Sequence, residues 1–268
     1  MKELSRKIKE LEVSLEDTEG RIRTFLEALP NIPDPDIPAG GKECNQVLTV
    51  WGNQPSFDFK PRDHVELATR LGLIDYERGV KLGGSGYWLY RGDGARIEWA
   101  LLNYFVETHL SDGYEFILPP HILTDQCGYT AGQFPKFVDD VFQLKDEDSF
   151  LLPTAETAII NLHRDEILKE AELPKRYFAY TPCYRREAGS YRTEERGSVR
   201  GHQFNKVEMF AFTRPEESDS AFEELLGKAQ KLVHGLGLYH RVSKLAAGDT
   251  SAAMARTYDI VVWIPSMN

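Results

Sequence analysis

The segment TPCYRREAGSYRTEERGSVRGHQFNKVEMF (181–210) gathers the residue types with the most chemistry to offer. Two runs of β-type composition, RYFAYTPCYRRE (176–187) and HQFNKVEMFAFT (202–213), flank a polar stretch at 188–201. That stretch carries Arg192, Arg196, Arg200, Glu194 and Glu195 among glycines, and it reads as a long, mobile, charged hairpin loop of the kind that usually serves a function. Alternate residues of a strand share a face, so Arg185 goes with Glu187, and Phe204 goes with Lys206 and Glu208. Where the two faces coincide, one side of a sheet carries an arginine, two carboxylates and an aromatic ring. A packed core does not select such charges, because unpaired ones are costly to bury. A guanidinium forks onto phosphate oxygens. A carboxylate accepts from an amino group, and a ring offers a stacking surface. A ligand with a phosphate, an amine and a flat ring would suit the set. A solvent-facing sheet laced with ion pairs would suit it too, and on residue types alone the two readings stand level.

The elements that must hold these residues are legible in outline. DHVELATRLGL (63–73) and ARIEWALLNYFVETHL (95–110) have helical periodicity, and residues 155–170 and 215–236 read as helices as well. YEFILPP (114–120) reads as a strand stopped by prolines, and TYDIVVWIP (257–265) as a further strand. Strands and helices do not alternate strictly, so the expected class is α+β with an antiparallel sheet. Residues 1–29 read as one helix with Leu4, Leu11, Thr18 and Phe25 at one heptad position and Ile8, Leu15, Ile22 and Leu29 at the other. That pattern is a coiled-coil seam seeking a partner helix, and its plainer reading is an amphipathic helix lying on the core. LPNIPDPDIPAGG (29–41) is too rich in proline for a helix and reads as a linker.

Composition narrows the functions. A net charge of −10 argues against a protein that mainly sheathes nucleic acid, although it leaves room for a local contact. No apolar run reaches membrane-spanning length and the charged N-terminus is unlike a signal peptide, so no membrane role is expected. Three scattered cysteines form neither a disulfide framework nor a metal knuckle, which points to a reducing, cytoplasmic setting and to no protein metal site. KLGGSGYWLYRGDG (81–94) is glycine-rich without the lysine-ended P-loop form, so it reads as turns. The seven histidines make no HExxH pair, and His202 is expected to support the strand beside Phe204.

The segment at 181–210 resembles motif 2 of the class II aminoacyl-tRNA synthetases, specifically the seryl type, with its TPC-[FY]-R-x-E-A-G-S and H-Q-F-x-K-V-E halves. GDGARIEWALLNYFVETHLSDGYEFILPP (92–120) resembles the family's motif 1, which forms a dimer interface. TAGQFPKF (130–137), LLPTAETAIINLHRDEIL (151–168), LPNIPDPDIP and AGDTSAAMARTYDIVVWIP (247–265) also look seryl-type. The resemblance implies a class II antiparallel sheet flanked by helices and a serine–tRNA ligase activity. ATP is then the substrate, with Mg²⁺ on its phosphates; L-serine and tRNA(Ser) are the other partners, and the assembly is a homodimer. By the same resemblance Arg185 holds the ATP α-phosphate, Glu187 reads the adenine amino group, Phe204 stacks on adenine and Arg200 lies near the triphosphate. Thr154, Glu156 and Glu208, with Arg185, bind serine, and the loop 188–201 meets the tRNA acceptor end. The chain stops at WIPSMN, where the family continues into motif 3, and residues 249–253 lack an MGF-type stretch seen in some relatives. The expected organisation is therefore a remnant of the coiled-coil arm (1–29), a linker (30–45) and a core (46–268) without motif 3. Weak or absent adenylation is expected, the alternative being a non-catalytic, dimeric binding or regulatory paralogue.

Overall fold

A computed structural model describes residues 2–187 and 197–267. The chain opens with α1 (Lys2–Ala28), then β1 (Gln46–Trp51), α2 (His64–Arg70), β2 (Ile74–Asp75), α3 (Tyr76–Gly83), β3 (Leu89–Tyr90) and α4 (Asp93–Ser111). It continues through β4 (Glu115–Ile117), β5 (Ile122–Thr124), α5 (Asp125–Thr130), β6 (Phe142–Gln143), β7 (Ser149–Leu151) and α6 (Ala155–Ile159). It then runs through β8 (Lys175–Tyr184), β9 (Gln203–Phe212), α7 (Ser218–Gly235), β10 (His240–Lys244) and β11 (Tyr258–Val262). Among these residues no helix is long and apolar enough to cross a membrane.

The long hairpin β8–β9 is the frame of the molecule, paired antiparallel from Lys175↔Phe212 to Tyr184↔Gln203. This register puts Tyr177, Ala179, Thr181 and Cys183 of β8 on the same face as Phe210, Glu208, Lys206 and Phe204 of β9. That face changes character along its length. At one end Tyr177 and Ala179 pack with Ala155 and Ile159 of α6, with Phe210 and Phe212 against them. At the other end the same face carries the charged residues singled out from the sequence. The opposite face holds Phe178, fully buried, with its ring stacked on Phe116 at 4.8 Å and edge-on to His109 of α4 at 5.5 Å. Phe178→Ala is expected to lower the unfolding free energy by about 3–5 kcal/mol, because the cavity left between two elements cannot collapse; urea denaturation measures it.

Smaller sheets surround the hairpin: β1–β10–β11, β2–β3 and β5–β7–β6, all antiparallel, while β4 joins β8 in parallel. A second core of Leu123, Phe134, Val141, Phe150, Leu152 and Ala158 lies under β5–β7. The helix α1 forms as its heptads require, but none of its residues is buried and its seam (Leu4, Leu11 and Phe25, all above 60% exposed) meets no other described element. The plainer reading, an amphipathic helix on the core, is therefore not what the fold adopts.

Three local expectations are corrected. The helix read over 155–170 ends at Ile159. His163 bridges Glu166 and the Tyr177 hydroxyl at 2.8 and 3.0 Å, and Asp165 sits at φ +63°, so tertiary ties override helical composition. The strand read to residue 187 ends at Tyr184, and Glu187 turns left-handed at φ +54°. Within the glycine-rich 81–94 run, Leu89–Tyr90 form β3 rather than a turn.

Candidate active site

The charged end of the hairpin face opens into a cavity of about 360 Å³, within the size of small-molecule sites. Thr154, Glu156, Arg185, Glu187, Arg200 and Glu208, six of the seven site residues expected from the sequence, line it. They come from separate parts of the chain. β9 supplies Glu208, the start of α6 supplies Thr154 and Glu156, and the residues just beyond β8 supply Arg185 and Glu187.

Glu208 is the hub. Its Oε2 accepts from the Thr154 hydroxyl at 2.6 Å and from the Glu156 backbone N–H at 3.0 Å. The carboxylate thus satisfies an otherwise unpaired donor at the start of α6. Lys206 donates to Thr154 Oγ1 at 2.9 Å and lies 3.6 Å from Glu208 Oε1. Thr154 Oγ1 thereby both accepts and donates, and its orientation is set from two sides. Oε1 holds no hydrogen bond among the described residues, so it keeps acceptor capacity for a ligand N–H or O–H.

Arg185 is tied in beside this network, through the residue that precedes Thr154. Its Nε donates to the Pro153 carbonyl at 3.2 Å, and its backbone N–H donates to the His202 carbonyl at 2.9 Å. His202 returns a bond from Nδ1 to the Arg185 carbonyl at 3.0 Å, the supporting role expected of it. Across the mouth, Arg200 Nε donates to Glu187 Oε2 at 2.7 Å.

Phe204 stands apart from the other six. It is not among the residues that line the main cavity; with Gln203, Asn205 and Val207 it borders a neighbouring one of about 410 Å³ between α4 and the hairpin. Arg185 and Lys206 lie over the ring at 5.3 and 5.8 Å, cation–π contacts. Of the loop residues, Arg192, Arg196, Glu194 and Glu195 lie outside the described residues. Lys206 was placed on this face by alternation but given no role, and Gln133, Asp140 and the Ser251–Met254 stretch were missed as cavity walls. The TAGQFPKF and AGDTSAAMARTYD segments contain most of them, yet they have no periodicity from which a wall could be read.

Burial raises the Glu156 carboxyl above its ordinary range, and the neighbouring Glu208 charge adds to this, while Lys206 and Arg185 oppose it. A carboxyl whose folded-state pKa is raised favours folding when protonated and loses that contribution as pH climbs from its unfolded value through the raised one. Glu156→Gln is therefore expected to raise Tm at pH 7 and to change it little at pH 4; thermal melts at both values read the difference.

Residues 140–268 match the family model described as the tRNA synthetase class II core domain (G, H, P, S and T). End to end, the chain is 67% identical to serine–tRNA ligase 2 of Clostridium acetobutylicum and covers 64% of that protein. It is 48% identical, over 91% of its length, to the serine–tRNA ligase of Petrotoga mobilis, covering 58% of it. The fold superposes on the crystal structure of seryl-tRNA synthetase from Pyrococcus horikoshii complexed with ATP with a TM-score of 0.93 at 30% identity, over 99% of this chain and 64% of that one. The chain thus spans somewhat under two thirds of the length of the relatives it matches. The stretch that matches the class II synthetase core model carries the β8–β9 hairpin and most of the cavity lining. Within that class it is the seryl-tRNA synthetases that the chain resembles over its own full length.

Proposed function

We propose that this chain is the catalytic part of a serine–tRNA ligase, binding L-serine and ATP in the cavity and joining them as seryl-adenylate. The observation that carries the reading is the Thr154–Lys206–Glu208 network with Arg185 beside it in one cavity. Glu208 Oε1 accepts from the serine ammonium and hydroxyl, with the Thr154 hydroxyl and the Glu156 carboxyl lining the same pocket. A site that spends buried polar groups on a hydroxyl rejects the analogue lacking it, because those groups are then left unpaired. In the reaction a serine carboxylate oxygen bonds to the α-phosphorus of ATP as the bond to pyrophosphate breaks, and no proton transfer is needed. Arg185 neutralises charge developing on the phosphorus oxygens. Glu187 and Arg200, at the mouth, take the adenine amino group and the outer phosphates. Phe204 supplies a stacking face for adenine, for which its two cations must share or yield the ring.

Mg²⁺ fits the donor chemistry as a companion of the triphosphate, since it is ordinarily held by substrate phosphates plus one or two carboxylates. Asp140 lines the cavity and is an oxygen donor of that kind. When bound, the ion would neutralise phosphate charge. The seam of α1 is taken as part of a coiled-coil arm directed to tRNA(Ser), residues 30–45 as its linker and 46–268 as the core. Exposed Ile97 and Trp99 on α4 (59% and 55%) support a homodimer built on that helix. The cysteines, all free thiols, accord with a cytoplasmic setting.

Calorimetry with non-hydrolysable aminoacyl-sulfamoyl adenosines tests the reading. The seryl analogue is expected to bind at least ~100-fold more tightly than the alanyl one. Equal affinities would remove the serine assignment. Selective binding without serine-dependent ATP–pyrophosphate exchange, and with no rescue when a seryl-type C-terminal segment is appended, would favour the non-catalytic paralogue instead.

A further inference from the structure

The proline-rich linker is bonded along its length to a wall of the cavity. Asn31 donates from its backbone N–H to the Ala252 carbonyl at 2.7 Å and from Nδ2 to the Ala253 carbonyl at 3.3 Å. The Asp34 N–H donates to Ala255 O at 3.0 Å, while Ala247 and Gly248 N–H groups donate to Pro38 and Gly40 carbonyls, both at 2.8 Å. The linker therefore straps residues 247–255, and that stretch contributes Ser251, Ala253 and Met254 to the cavity. Side chains fasten the strap. Arg256 forms ion pairs with Asp34 at 2.8 Å, Asp36 at 3.5 Å and Asp219 at 3.2 Å, and its guanidinium lies 5.6 Å over the Phe222 ring of α7. Lys244 reaches Asp36 at 2.5 Å. On the facing side Lys136 donates to the Glu27 carbonyl near the end of α1 at 2.7 Å, and its neighbours Gln133 and Phe137 line the same cavity.

A linker that merely joins two elements needs none of these bonds. Isolated exposed ion pairs contribute little, but here one guanidinium, only 20% exposed, gathers two carboxylates from the linker and one from α7. The wall it holds has no regular secondary structure of its own, so its placement depends on what it is tied to. We propose that Asp34 and Asp36, acting through Arg256, are positioning residues that hold the Ser251–Met254 wall of the amino-acid cavity, making the linker part of the serine site. The inference rests on the serine reading of that cavity.

The test uses the Asp34→Asn/Asp36→Asn double variant and the milder Asp36→Asn, with Glu223→Gln on the exposed side of α7 as a control that leaves the Arg256 network intact. Calorimetry compares seryl-sulfamoyl adenosine with AMP, and hydrogen exchange reports on residues 247–256. The double variant is expected to bind the seryl analogue about tenfold more weakly, since small misplacements of binding groups cost up to ~100-fold. AMP affinity is expected to stay at the parent value, and exchange over 247–256 to quicken. Asp36→Asn is expected to fall between, and Glu223→Gln to bind as the parent does. Unchanged seryl affinity in the linker variants, or equal weakening toward AMP, would overturn the proposal. A parent chain that does not prefer the seryl analogue to AMP would instead overturn the serine reading on which it stands.

Discussion

Glu208→Ala lowers the affinity for seryl-sulfamoyl adenosine by about 100- to 1,000-fold, the largest binding loss expected from any side chain of the cavity. The substitution removes the acceptor proposed for the serine ammonium and hydroxyl. It also removes the acceptor already engaged by the Thr154 hydroxyl and the Glu156 N–H at 2.6 and 3.0 Å. Lys206, 3.6 Å away, is left in a partly buried site without its counter-charge. Breaking a fully buried charged pair from one side costs about 3–5 kcal/mol, mostly through the charge left behind, and this partly buried pair, 30% and 19% exposed, costs less. Glu208→Gln separates these effects. Its amide oxygen can still accept at the start of α6, but the carboxamide offers Lys206 and the substrate ammonium no negative charge. A smaller loss, about tenfold, is expected from it, as for a charge-assisted bond reduced to a neutral one. Calorimetry on both variants measures the series. Equal binding by Glu208→Ala and the parent would mean that Glu208 only caps α6.

How much of this was legible beforehand depends on the range of the interactions involved. The strand alternation that grouped Phe204, Lys206 and Glu208 is a property of neighbouring residues, and the register of β8 and β9 bears it out. Heptad spacing gave the α1 helix for the same reason. The end of α6 was not legible, because what stops it is a bond from His163 to Tyr177 on another strand. The capping of α6 by Glu208 was equally hidden, since its partners lie 54 and 52 residues away in sequence. Arg185 and Glu187 were grouped by a strand alternation that does not exist beyond Tyr184; the left-handed turn at Glu187 brings both to the cavity by another route. Phe204 shows the limit of face-based reading. The register sets it on the site face, under Arg185 and Lys206, yet it is not among the residues that line the main cavity.

Arg185→Ala is expected to reduce the rate of serine-dependent ATP–pyrophosphate exchange about 100- to 1,000-fold, while the affinity for serine itself falls only severalfold. Arg185 is the cavity arginine whose position is fixed from within the hairpin frame: its Nε bonds to Pro153 and its main chain to His202 on the opposite strand. A donor held in this way need not reorganise as charge develops on the α-phosphate, and removing one comparable preorganised donor costs about 2.7–4 kcal/mol of transition-state stabilisation. Arg200 is a poorer candidate for this role, because its side chain is 40% exposed and already paired with Glu187. Arg185→Lys keeps the charge but loses both the Nε bond to Pro153 and the planar fork that matches two phosphate oxygens. It should recover no more than about a tenth of the parent rate, the loss of about one charge-assisted bond. Losing Arg185 also removes one of the two cations over Phe204, so nucleotide affinity would rise slightly if the ring were waiting for adenine. A fall in exchange rate together with unchanged or tighter AMP binding would assign Arg185 to the transition state. A parallel fall in both would mean that it binds the ground state and that the charge developing at phosphorus is met elsewhere.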